Sequence, residues 1–426
     1  MLAIGGIVAG LYISSDYSFS FIETYKKNFS DNLLSLKIKY EMKKAEKEEQ
    51  ELLAQQTEQI VPEETPQEEK PIDEPVSNDK TESRPDVEPT RVTYTDLQKK
   101  FVTTGEPIAL NAAASARFEN YMGDILCVVD NSIVLYNKKS KIVWSIPIQI
   151  SNPILRVEGE YILLLEQNGK KVELYKGKKK QFRVETKEKI LTGNLSSNGD
   201  CAILTEKMYY KGAVEVYNKS GLEIYSRSFG KNSAISVAIS DARRLCVSLL
   251  STEDSVSSHI VFLDLNKTKE DVTVKYDDSI IYDLDFVENN LHAFADNQLI
   301  ALNNNGRELW RRDYTDKTLK LYCDDGESTR LMLFDSNNSA EISVINSSGR
   351  EKRKITEDIV PDFCDISDGY ILYNGGRSLY LTKLNGTPLA KYVASRDMKK
   401  AYFIDSDNIL VVYNQSIEFL HIENGE

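Results

Sequence analysis

A chain of 426 residues, 41% hydrophobic and 28% charged, is long enough for one large folded body with extensions attached. Its net charge of −13 is uneven: positions 41–90 hold 16 acidic and 6 basic residues, which leaves the rest close to neutral. With no basic patch there is no footing for nucleic acid. Five cysteines without a CxxC spacing give none for a disulfide-built or zinc-built domain.

The chain opens on an apolar run, LAIGGIVAGLYI (residues 2–13), followed by the aromatics Tyr17, Phe19, Phe21 and Tyr25. A spanning helix needs about 20 residues, and the aromatics suit an interfacial belt, so residues 1–25 are read as a membrane anchor. No basic residue precedes the run, whereas Lys26, Lys27, Lys37 and Lys39 follow it. By charge alone the following chain would stay in the cytoplasm, unless a basic lead precedes Met1. Residues 26–60 are rich in Leu, Lys, Glu, Gln and Ala and are read as a solvated stalk helix. Residues 61–100 form an acidic linker holding six of the eleven prolines; it has too little apolar surface to fold and is stiffened by proline and like charge.

The folded domain is expected over 101–426 as an all-β propeller. A degenerate unit of about 40 residues recurs, clearest in SIVLYNKKSKIVW (132–144), AVEVYNKSGLEIY (213–225) and QLIALNNNGRELW (298–310). Successive units start near residues 116, 154, 191, 236, 282, 319, 362 and 400. That counts eight blades, with seven as the alternative. The second strand of each unit is the most apolar, as in DILCVV and YILLLE, so it must be covered on both faces by neighbouring blades. The last unit supplies only three strands. The segment GEPIALN (105–111) is therefore expected to complete blade 8 and close the ring.

The units NKKSKIVW, NKSGLEIY and NNNGRELW resemble the repeats of quinoprotein-like (PQQ-like, WD40-like) propellers. Those include the outer-membrane assembly lipoprotein propeller and the quinone-dependent alcohol dehydrogenases. The whole layout looks like a family of unassigned function, membrane-anchored propellers of low-GC Gram-positive bacteria. The resemblance implies a scaffold with its propeller outside the cytoplasm. The enzymatic members' adjacent cysteine pair and tryptophan floor have no counterpart here, so no catalytic residue, cofactor or metal ligand carries over.

Candidate chemistry is sparse. His259, His292 and His421 lie far apart in strand-like runs and are read as packing residues. The cysteines are read as buried free thiols. The carboxylates Asp283, Asp285, Asp324 and Asp365 fall in interblade turns and innermost strands and are the candidate channel lining. The expected function is a non-enzymatic scaffold that binds a protein or peptide partner at the cell envelope, with the membrane engaged through the N-terminal helix. The alternative is an enzyme or small-ligand binder that uses those four acids.

Overall fold

The computed structural model describes the backbone of residues 90–91, residue 94, and residues 97–425 apart from 112, 254, 267–271, 288, 315–316, 326–328 and 337–338. The expected anchor, the stalk and most of the linker lie outside the described residues. Among the described residues no helix is long and apolar enough to cross a membrane.

Eight antiparallel sheets follow one another along the chain, at residues 117–147, 153–185, 190–228, 233–277, 281–313, 318–357, 364–393 and 400–424. These are blades 1 to 8, and each adds its strands from the innermost outwards. The second strands are buried as their composition demands. In Tyr161–Glu166 the four residues Ile162 to Leu165 are all inaccessible. They alternate, because successive side chains of a strand point to opposite faces. Ile162 and Leu164 pack against blade 1, while Leu163 and Leu165 pack against blade 3.

The core is accordingly split into eight apolar clusters, one per seam between consecutive blades. One of them joins Phe118 and Ile125 of blade 1 to Leu410 and Phe419 of blade 8, which closes the ring. Each buried Leu, Ile or Phe contributes about 1.5–3 kcal/mol. A blade removed from its neighbours loses that contribution on both faces at once, so no blade is stable alone.

Ring closure differs from expectation in one respect. The outer strand of blade 8 is Lys99–Thr103, antiparallel to Ser416–Asn424, and not the whole of 105–111. Only Ile108–Ala109 of that segment pairs, further along the same edge. The physical reason lies in exposure. KKFVT has one face in solvent and reads as polar, whereas the apolar Leu110 fills the blade 8–1 seam.

Thr90–Arg91 and Tyr94, ahead of this strand, also belong to the body, although they lie within the interval read as linker. Thr90–Arg91 pairs in parallel with Ile355 and Thr356 on the outer edge of blade 6. Tyr94 then lies 4.3 Å, ring to ring, from Tyr380 of blade 7, and its hydroxyl meets Tyr373 and the buried carboxylate of Glu357. Thr90–Arg91, Tyr94 and Lys99–Thr103 thus act as a strap on blades 6, 7 and 8.

The Asn of the repeat has a definite task. Asn218 Oδ1 accepts the backbone N–H of Ser220 (2.9 Å) and Leu222 (3.1 Å), and Asn303 does the same for Asn305 and Arg307. The side chain thereby satisfies a hairpin turn that the backbone alone leaves open. The repeat tyrosines are internal. Tyr217 donates to Glu215 (2.6 Å), Tyr175 donates to Glu173 and Tyr413 donates to Glu418 (2.7 Å). A hydroxyl and a carboxylate that satisfy each other can both leave water at moderate cost.

Candidate functional site

The innermost strands of blades 1 to 5 contact one another in sequence, as do those of blades 6 to 8. Their polar side chains stitch them together. Arg156 Nε donates to Gly193 O (3.2 Å), joining blades 2 and 3. Asn194 Oδ1 accepts from Ile239 N (3.2 Å), joining blades 3 and 4. Ser236 Oγ accepts from Leu284 N (3.2 Å), joining blades 4 and 5. Asn120 Nδ2 donates to Ile404 O (2.7 Å), joining blade 1 to blade 8.

The four candidate acids sit on these strands. Asp283 and Asp285 lie in Ile281–Val287 of blade 5, Asp324 ends Thr318–Asp324 of blade 6, and Asp365 lies in Cys364–Ser367 of blade 7. Two of them accept hydrogen bonds from neighbouring blades. Asp283 Oδ1 accepts from Ser236 Oγ (3.1 Å) and from its neighbour's N–H (2.9 Å). Asp365 accepts Phe403 N (2.7 Å) from blade 8 and Ile366 N (2.9 Å). Among the described residues no group of three or more His, Cys, Asp or Glu is placed to hold a metal ion.

Burial dominates the electrostatics of Asp285 and Asp365. Burial pushes the Asp285 carboxyl well above the usual range, and the charges of Asp324, Asp283 and Glu158 push the same way. Burial raises Asp365 to about 7, with Asp324 adding to the rise and the two backbone N–H groups opposing it. A carboxyl with a raised folded-state pKa holds its proton more tightly in the fold than in the unfolded chain. Its stabilising contribution is therefore complete below the unfolded value near 3.8 and is lost as pH climbs through about 7. Asp365→Asn removes this titration. In urea unfolding, the stability of the wild type relative to the variant should fall between about pH 4 and 7 and level off above; a difference flat across that range would refute it.

Sequence reasoning missed a polar seam between blades 5 and 6. Asp285 lies opposite His292 within blade 5, and Asp324 lies opposite Arg330 within blade 6. Directly opposed residues share a face. Arg330 is only 2% exposed, and its Nε and Nη1 find no hydrogen-bond partner; His292 Nδ1 is likewise buried without one. Burial, and then the nearby Arg330 charge, lower His292 to about 3, so the ring is neutral and packs edge-on against Trp310 at 5.3 Å. The expectation that His292 is a packing residue holds.

A second unforeseen feature is on the surface. The hairpin between the second and third strands of blade 3 carries Met208, Tyr209 and Tyr210, exposed by 66, 95 and 50%. Tyr209 adopts φ +65, a left-handed conformation that costs a non-glycine residue about 1 kcal/mol or more. The base of the hairpin is fixed by Lys211 N donating to Phe229 O (2.7 Å) and by Tyr210 N donating to Lys207 O (3.0 Å). The apolar tip is therefore held out in solvent instead of folding back. The signal was present as MYY in a position where a turn is normally polar.

The fold is an eight-bladed β-propeller. Residues 98–422 match the model of a family of unknown function, DUF5711, and the chain belongs to that family. No curated protein matches it. Its fold is similar to the C-terminal WD40 domain of Sif2 (11% identity, 76% of this chain and 99% of that one, TM-score 0.54). It is similar also to the computationally designed Ika8 protein (10%, 76% and 99%, TM-score 0.53). BamB from Moraxella catarrhalis is a further likeness (11%, 75% and 99%, TM-score 0.50). At these identities the likeness concerns the fold alone.

Proposed function

We propose that this protein is a non-enzymatic scaffold that binds a protein or peptide partner at the cell envelope, tethered to the membrane by its N-terminal segment with the propeller outside the cytoplasm. The observation that carries the binding role is the exposed tip formed by Met208, Tyr209 and Tyr210. Aromatic side chains offer large contact area at low entropic cost, and a strained backbone holding them in solvent is a reason to look for a partner there. The engagement of Asp283 and Asp365 in inter-strand hydrogen bonds fits a scaffold better than a reactive channel. The apolar run at 2–13 and the resemblance of the layout support the tether and the topology.

The test is crosslinking capture from membranes with the wild type and with Tyr209→Ser. A partner recovered by the wild type should drop at least tenfold with the variant, at an unchanged melting temperature, as for an interface aromatic. Equal recovery would remove this tip from the binding surface. Protease treatment of intact cells reads the topology separately: a protected propeller refutes the extracytoplasmic placement.

The unpaired donors of Arg330 beside Asp324 favour a second reading, a small polar ligand held at the blade 5–6 seam. Native mass spectrometry with a retained small molecule, lost in Arg330→Leu, would support that reading over the scaffold.

A further inference from the structure

Two thiols meet at the seam between blades 6 and 7. Cys323 is the penultimate residue of the innermost strand of blade 6, and Cys364 is the first residue of the innermost strand of blade 7. Their Sγ atoms lie 3.2 Å apart. Both are buried, in one apolar cluster with Leu321, Leu331, Ile366 and Tyr373. The other three cysteines are also buried, but each in a different seam: Cys127 between blades 8 and 1, Cys201 between 2 and 3, and Cys246 between 4 and 5. Ring closure thus selects one pair from five residues that sequence spacing alone cannot pair. The two strands already pack side by side, so a bond near 2.05 Å needs a further approach of only about 1 Å, which side-chain rotation can supply.

We propose that Cys323 and Cys364 form a disulfide across the blade 6–7 seam when the chain folds in an oxidising compartment. The oxidant is an external disulfide, either glutathione disulfide or that of a thiol–disulfide oxidoreductase. One cysteine thiolate attacks it, forming a mixed disulfide and releasing one thiolate. The second cysteine thiolate then displaces the remaining half. One S–S bond forms, the two cysteines lose two protons, and the oxidant's disulfide becomes two thiols. Burial holds the Cys323 thiol well above its ordinary range, so thiolate is scarce in the closed ring, and the exchange proceeds through transient opening of the seam that closure has already paired.

The position has a mechanical logic. The strap ties down blade 6, where Thr90–Arg91 pairs on the outer edge, and Tyr94 joins Glu357 to Tyr373 across the 6–7 seam. The disulfide fixes the inner end of the same seam.

The experiment uses the full chain, refolded from denaturant in a glutathione redox buffer and, in parallel, in dithiothreitol. Each sample is denatured in N-ethylmaleimide and mapped by mass spectrometry. The expected result is a linked peptide pair containing Cys323 and Cys364, with Cys127, Cys201 and Cys246 alkylated. The oxidised form should show a folding equilibrium roughly 100–1,000-fold more favourable than the reduced one, by denaturant midpoint. Cys323→Ala and Cys364→Ala should each abolish both effects, while Cys246→Ala should leave them. Alkylation of all five cysteines after oxidative refolding, or linkage to any other cysteine, overturns the proposal.

Discussion

A chain that begins at Ala113 should not fold. It lacks Lys99–Thr103, and with it the partner of five consecutive residues of Ser416–Asn424, from Leu420 to Asn424. It lacks Phe101, which packs on the blade 7–8 cluster, and Leu110, which packs on the blade 8–1 cluster. Both seams beside blade 8 are then incomplete, and a sheet edge lies open to pair with another chain. Two lost core side chains cost about 4–8 kcal/mol together, comparable with a typical total stability of 5–15 kcal/mol. A chain that begins at residue 97 keeps the strand and loses Tyr94. It should remain folded but weaker by about 1–3 kcal/mol, since the buried Glu357 keeps Tyr373 as a partner. Size-exclusion chromatography and thermal unfolding decide the matter. A monomeric, cooperatively melting chain from Ala113 would show that the N-terminal strand does not close the ring.

The eight blades were legible because the second strand of each is covered on both faces, and burial on both faces leaves a continuous apolar run such as YILLLE or LCVSLL. The turn was legible because one Asn accepts two N–H groups in the hairpins at Asn137, Asn218 and Asn303, so its identity recurs. The closing strand was misplaced for the converse reason. An outer strand has one wet face, and Lys99–Thr103 alternates too weakly to stand out against Ile108 and Leu110, which are apolar because they plug a seam. The strap is held by one short parallel pairing and a half-buried tyrosine in a polar segment, which no periodicity can reveal. The buried Arg330 and the paired sulfurs of Cys323 and Cys364 are properties of seams between blades. They depend on which face of a strand meets which neighbour, and that is settled only when the ring closes. The four acids lie on innermost strands. What the sequence did not show is that Asp283 and Asp365 are engaged in holding those strands together.

Gly349→Ala should be among the most damaging conservative substitutions in the propeller, although the residue lies in an exposed-looking turn. Its φ of +71 is disfavoured for any residue with a Cβ, at about 1–2 kcal/mol. A Cβ there would also stand 2.5 Å from Cδ2 and 2.6 Å from Cε3 of Trp310. That indole cannot step aside cheaply. Its Nε1 donates to Ser347 O (2.8 Å) across the blade 5–6 seam, and its face meets the buried His292 ring. The clash adds about 1–3 kcal/mol of overpacking. The sum is about 2–5 kcal/mol, measurable as a shift in denaturant midpoint. Gly369 separates the two causes, since its φ is +82 but nothing lies within 4 Å of a Cβ built there. Gly369→Ala should therefore cost only the backbone part. With Trp144 replaced by Phe, Trp310 is the single indole, and its fluorescence should shift in the folded state of Gly349→Ala but not of Gly369→Ala. Equal losses for the two variants would mean that the turn glycines are selected by backbone conformation alone, and that the docking of each turn on the preceding blade adds nothing.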